Sequence, residues 1–167
     1  MAGPHTLAET ERTAESRVAG LKIDSEALAV TSNLFRAANA VRNHLEREVL
    51  APAELTWTAF VVLWIAWIWG SAETRIIAEE SGVSKATLSG VLNTLEKRGL
   101  IVRRPGEQDK RLVIVVLTPT GTRLIKRLFP RINEQEVYVC RTLSRQEQAE
   151  AAGYMRKLVQ SVGNPEG

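Results

Sequence analysis

The residues best equipped for chemistry lie between Ser84 and Arg111. Hydroxyls and an amide come first, at Ser84, Thr87, Ser89 and Asn93, with the cation of Lys85 and the methyl of Ala86 among them. Cations and one carboxylate follow, at Arg103, Arg104, Asp109, Lys110 and Arg111. Catalytic signatures are missing: there is no G-x-S-x-G, no Walker loop, no H-E-x-x-H and no paired-cysteine metal spacing. Two histidines and one cysteine, far apart in the chain, offer little for a nucleophile and its base. What remains is binding chemistry, with donors and acceptors suited to base edges and phosphates. The charge distribution agrees. Of a net +3 over 167 residues, the segment Lys85–Arg111 alone carries seven Lys or Arg against three Asp or Glu. The rest of the chain is close to neutral, so the excess positive charge sits where a phosphate-neutralising surface would need it. No cofactor and no metal is called for.

Two short helices and a hairpin must position these residues. Ile76, Ile77 and Ala78 begin an apolar face, and Gly82 gives the backbone freedom of a tight corner. Ser84 caps the next helix, in which Leu88, Val91, Leu92 and Leu95 form one buried stripe at helical spacing. The opposite face carries Ala86, Ser89, Gly90, Asn93 and Lys97, small or polar residues able to approach a polar partner closely. Gly99 ends the helix, and Lys97 and Arg98 suit the dipole of its last turn. The period then changes. Leu100–Arg104 and Leu112–Leu117 read as short strands, joined by the charged turn PGEQDKR. Helix, corner, helix and charged hairpin make a winged helix-turn-helix.

The order GVSKATLSGVLNTLEKRGLIVR, then DKR, then VVLTPTG resembles the MarR (multiple antibiotic resistance regulator) family. The pattern D-x-R-x-x-x-V-x-L-T-x-x-G is met at Asp109, Arg111, Val115, Leu117, Thr118 and Gly121. The string LTWTAFVVL is similar to the family's second helix. The resemblance implies a wing whose tip reaches the minor groove of DNA, with Arg111 inserted, Asp109 holding it and Lys110 on a phosphate. Arg103 and Arg104 would anchor the backbone from the wing's base. On the helix, Ser84, Thr87 and Ser89 suit phosphate or base contacts, Lys85 and Asn93 suit edges or backbone, and Ala86 a thymine methyl.

Outside this lobe the chain reads as helical. Leu7–Leu21 is alanine-rich and charged, material for a weak extra helix. A long helix starts near Asp24 or Ser25 and runs to about Leu50, with Pro52 stopping it. Thr56 caps a second helix that holds all four tryptophans, and Trp57, Phe60, Trp64 and Trp67 fall on one face. Two readings of that face stay open: core, or the wall of a small-molecule cleft for a planar ligand. His44 would join the cleft in the second reading and act as a surface or capping residue in the first. The apolar run Trp57–Gly70 reaches only about 21 Å as a helix, too short for a bilayer core of roughly 30 Å. After the wing, Thr118-Pro119 starts a helix that Pro130 should kink or divide. Ser144 and Glu147 open the last helix as a capping box, Ala149, Ala152, Met155, Val159 and Val162 line it, and the tail GNPEG should fray. Cys140 excludes an internal disulfide and fits a reducing compartment. An oxidant-sensor reading of it is disfavoured, since the family's reactive cysteine lies near the N-terminal end.

The expectation is therefore a mainly α fold with a small β-hairpin wing, a winged helix-turn-helix plus a helical dimerisation region. Residues 1–24 form an extension, 25–55 and 119–162 the dimerisation region, and 56–118 the DNA-binding lobe, within one MarR-type domain. The functional expectation is a cytoplasmic, nucleoid-associated prokaryotic regulator that binds a palindromic double-stranded operator as a homodimer. It would act as a repressor released by a small, phenolic or aromatic-acid effector, with no membrane partner. Two alternatives stand beside it. One is a winged helix used for protein assembly without DNA, against which stands the charge on helix and wing. The other is an enzyme acting on an aromatic compound, which lacks catalytic groups.

Overall fold

The computed structural model describes residues 6–163. Met1–His5 and, of the tail expected to fray, residues 164–167 lie outside it. The chain divides into two compact units, residues 1–44 and 45–167. In the first, α1 (Leu7–Val18) confirms the extra helix. Thr6 and Glu9 cap it reciprocally: the Thr6 hydroxyl accepts from the Glu9 amide at 3.2 Å, and Glu9 Oε2 accepts from the Thr6 amide at 2.7 Å. Asp24 Oδ1 accepts from the Ala27 amide at 2.8 Å and opens α2 (Ser25–Leu45). Asn33 on α2 donates to Glu11 on α1 at 2.9 Å.

The second unit begins where α2 changes winding. A π turn, Glu46–Leu50, and a 3-10 turn, Ala51–Ala53, complete the helical stretch. Pro52 has no N–H to carry an α-helix onward, so the expected stop is found there. Glu54 follows in the left-handed region at φ 54°, which turns the chain into α3 (Trp57–Ile68). Two acceptors satisfy the exposed amides of that helix start: Thr56 Oγ1 receives the Ala59 N–H at 3.2 Å and Glu46 Oε1 the Trp57 N–H at 2.7 Å. Because α3 is apolar nearly all round, it becomes the centre of the unit. It buries Ala59, Phe60, Val62, Leu63, Ile65 and Ala66.

Around α3 pack α4 (Thr74–Ser81), α5 (Lys85–Lys97), α6 (Pro119–Val139) and the sheet. The sheet has three antiparallel strands in the order β1-β3-β2, namely β1 (Ala72–Glu73), β2 (Ile101–Pro105) and β3 (Val113–Leu117). Both hairpin strands start one residue later than the sequence suggests. β1 has no sequence signal of its own: two residues are held only by pairing of Ala72 with Val115 and Glu73 with Ile114. Leu63, Ile77, Leu95, Ile101, Val115 and Ile125 are fully buried in this core. Among the described residues no polar or charged side chain is buried.

α6 is continuous through Pro130, so of the two expected outcomes, a kink or a division, the division does not occur. The reason is placement. Pro130 removes the N–H that would pair with the Lys126 carbonyl, and both residues are exposed, where water replaces the lost bond. A 3-10 turn, Cys140–Thr142, leads to α7 (Arg145–Gly163). The expected box is present there, with Glu147 Oε2 accepting from the Ser144 amide at 2.7 Å and Ser144 Oγ from the Glu147 amide at 3.3 Å. No single described helix is long and apolar enough to cross a membrane.

Candidate nucleic-acid interface

Gly82, at φ 64°, closes α4 in the left-handed region and lets the chain turn into α5. Ser84 then caps α5. Its hydroxyl accepts from the Thr87 amide at 3.1 Å and lies 2.9 Å from the Thr87 hydroxyl. Leu88, Leu92 and Leu95 anchor α5 to the core, with Val91 half-buried beside them. The outer face is open: Lys85, Ala86, Thr87, Ser89, Gly90, Asn93 and Lys97 are all exposed. A groove of about 330 Å³ between α4, α5 and the hairpin brings Lys85, Ser89 and Arg103 together with Thr74 and Arg75. The last two escaped the sequence reading, because neither lies in the helix or the wing and only the groove unites them.

The hairpin tip is built by short-range bonds. Gly106 N–H donates to the Leu112 carbonyl at 2.9 Å, Leu112 N–H to the Asp109 carbonyl at 3.0 Å and Arg111 N–H to Asp109 Oδ1 at 2.9 Å. A Cβ on Gly106 would stand 2.6 Å from the Asp109 carbonyl, so the tip closes this tightly only around glycine. Asp109 thus fixes the backbone of the turn, and its carboxylate also lies 3.7 Å from Arg111 Nε. The Arg111 side chain is 94% exposed, a cation held out from the tip. Lys110 and Arg104 are exposed as well.

Arg103 is placed differently. Its Nε donates to Glu96 Oε2 at 3.1 Å, its Nη2 reaches the same carboxylate, and its backbone N–H meets Glu96 Oε1 at 3.2 Å. Nη2 also donates to Asn93 Oδ1 at 2.8 Å. The guanidinium is tied to α5 and, 31% exposed, also lines the groove beside Lys85 and Ser89. The hydrogen bond from Arg103 is the main reason that the Glu96 carboxyl is held below its ordinary range, and the Arg103 guanidinium is raised in return. A second arginine braces the same C-terminal end of the helix: Arg98 donates to the carbonyls of Glu54 and Ala53, the latter at 3.1 Å. The sequence marks Arg98 only as a favourable last-turn cation; the turn it grips lies some 45 residues earlier.

The tryptophan face of α3 forms a ladder. Ring centres stand 5.8 Å apart for Trp57 and Phe60, 6.5 Å for Phe60 and Trp64, and 5.5 Å for Trp64 and Trp67. Phe129 of α6 stacks on Trp64 at 4.6 Å and 12°. Phe60 is buried, while Trp57, Trp64 and Trp67 keep part of their surface open. His44 sits in the last turn of α2, in the N-terminal unit, half-buried.

Known proteins give this geometry its context. The MarR family profile matches residues 55–113, from just before α3 to the first residue of β3. The chain is 36% identical to the uncharacterized HTH-type transcriptional regulator YwaE of Bacillus subtilis, over 93% of both chains. It is 28% identical to the HTH-type transcriptional repressor YetL of the same organism, over 65% of each. Among solved structures, Bordetella bronchiseptica BpsR, described with regulation of its DNA binding by 6-hydroxynicotinic acid, superposes with a TM-score of 0.70. That match has 26% identity and covers 78% of this chain and 98% of BpsR. With the winged helix, its open polar face and a full-length relative of this identity, the chain belongs to the MarR family of DNA-binding transcription regulators.

Proposed function

We propose that the protein is a homodimeric repressor that binds a palindromic double-stranded operator and leaves it when a planar aromatic acid binds. One observation carries the DNA contacts: an open polar face on α5 stands on the same core as a hairpin tip that extends a cation free of internal hydrogen bonds from its guanidinium. In this reading α5 lies in the major groove, with Ser84, Lys85, Ala86, Thr87, Ser89 and Asn93 toward bases and phosphates. Arg111 enters the adjacent minor groove, Asp109 orders the tip, and Lys110 and Arg104 meet phosphates. Residues 56–118 are then the DNA lobe and 1–24 an extension.

Dimerisation through residues 25–55 and 119–162 is supported by apolar side chains left uncovered in each unit. Phe35 is 69% exposed on α2, and Val159 and Val162 are 73% and 84% exposed on α7. Single exposed apolar residues are ordinary, but rows of them on helices ask for a partner. A two-fold dimer also matches half-sites about one helical turn apart. Light scattering at micromolar concentration should give the dimer mass, and a stable, well-folded monomer rejects this part.

The effector reading rests on the open edges of Trp57 and Trp64 beside Phe60, and on the ligand named for BpsR. A planar aromatic acid should quench tryptophan emission and weaken operator binding. Coupling is reciprocal, so saturating operator should weaken the acid by the same factor. Quenching that ignores added operator leaves the ladder as core alone.

A further inference from the structure

We propose that Glu96 and Arg103 are positioning residues that fix the Asn93 amide so that it meets a base as a hydrogen-bond donor only, selecting guanine. The inference rests on the reading of α5 as the helix in the major groove, and assigns the polarity of one contact within it. A guanidinium has donors and no acceptor, so the atom that Asn93 turns toward Arg103 at 2.8 Å must be its carbonyl Oδ1. Arg103 is itself immobilised. Glu96 accepts from its backbone N–H and from its guanidinium, and the residue is registered opposite the fully buried Val115 within the sheet. Its side chain is 31% exposed, against 94% for Arg111 at the tip. The Nδ2 group of Asn93 has no hydrogen-bond partner among the described residues.

This arrangement changes what asparagine can read. The usual partner of a free asparagine is adenine, with Nδ2 donating to N7 and Oδ1 accepting from N6–H₂ side by side. Oδ1 and Nδ2 leave Cγ about 120° apart, so an amide that points Oδ1 at the strand cannot also present both atoms to one base edge. Only the two N–H donors remain. Guanine offers O6 and N7 as adjacent acceptors, whereas adenine sets its N7 beside an amino group, cytosine presents only an amino group, and thymine has a single acceptor, O4, beside its methyl. Ser89 and Lys85 continue the exposed row one and two turns earlier on α5.

The test is selection of bound sequences from a randomised duplex library by the full chain, followed by anisotropy on the selected site and its single-base variants. The parent should prefer guanine at one position of each half-site by about tenfold. Asn93→Asp keeps an oxygen for Arg103 and offers a second oxygen to the base, so the preference at that position should move to cytosine. Arg103→Leu should free the amide and let adenine rise to parity or above, while Glu96→Gln, which still accepts from Arg103, should retain the parent's choice. Circular dichroism melts establish that each variant is folded. If Arg103→Leu leaves the base preference unchanged but lowers the salt slope by roughly one per lost contact, Arg103 is a phosphate anchor and the proposal fails. A parent that already selects adenine through Asn93 also overturns it. A parent that enriches no sequence overturns both this inference and the reading of α5 beneath it.

Discussion

Replacing Arg111 and Asp109 separately distinguishes two accounts of the wing. Their side chains approach to 3.7 Å and are 94% and 50% exposed, so the pair contributes less than about 1 kcal/mol to folding and either change leaves the fold intact. Binding is another matter. A dimer presents two tips, and losing one phosphate-region cation from each should flatten the salt dependence by about 1.8 in slope, at roughly 0.9 per contact. Between 50 and 200 mM salt the deficit of Arg111→Ala should therefore shrink by roughly twelvefold relative to the parent. Asp109 gives the sign. Coulomb's law alone makes Asp109→Ala bind more tightly, because a negative charge leaves a DNA-facing loop. The geometry says the opposite, since Asp109 Oδ1 holds the Arg111 amide at 2.9 Å and faces its guanidinium. Asp109→Asn keeps an oxygen for that amide while removing the charge, so it should bind better than Asp109→Ala. The assay is anisotropy on labelled operator at several salt concentrations. If Arg111→Ala matches the parent throughout, the tip does not touch DNA; if Asp109→Ala binds more tightly than the parent, the positioning role is refuted.

Two further expectations concern the frame behind that surface. A Cβ on Gly121 would stand 2.0 Å from the Leu100 carbonyl oxygen, which also receives the Thr118 N–H at 3.0 Å. Gly121→Ala must push α6 off the sheet, at a cost of about 3 kcal/mol or more and a fall in Tm of about 6–12 °C; an unchanged melt contradicts the packing described. Glu96 has its folded pKa lowered by Arg103, so its contribution to stability is present above the ordinary carboxylate range and is lost as pH falls through the lowered value. Urea titrations should show Glu96→Leu less stable than the parent at neutral pH, with the gap closing below about pH 4; a gap of constant size in acid rules out this linkage.

Local signals account for much of what is seen. The caps at Ser84, Thr56 and Ser144, the corner at Gly82 and the leucine stripe of α5 are legible because each depends on residues within one or two turns. The charged hairpin is legible for the same reason, its turn chemistry lying wholly between Pro105 and Leu112. What the sequence withholds is everything that depends on which distant segments meet. β1 exists only as the partner of β3, and Arg75 joins Lys85 and Ser89 only across a groove. Pro130 does not divide α6 because the tertiary fold leaves it and Lys126 exposed. The two arginines that look alike as cations part company in the fold: Arg111 stands out in solvent, while Arg103, seven residues beyond Glu96, finds that carboxylate and Asn93 as soon as the strand folds back on the helix. Residue type fixes how many donors each can offer; only the tertiary structure decides which of them are left to offer.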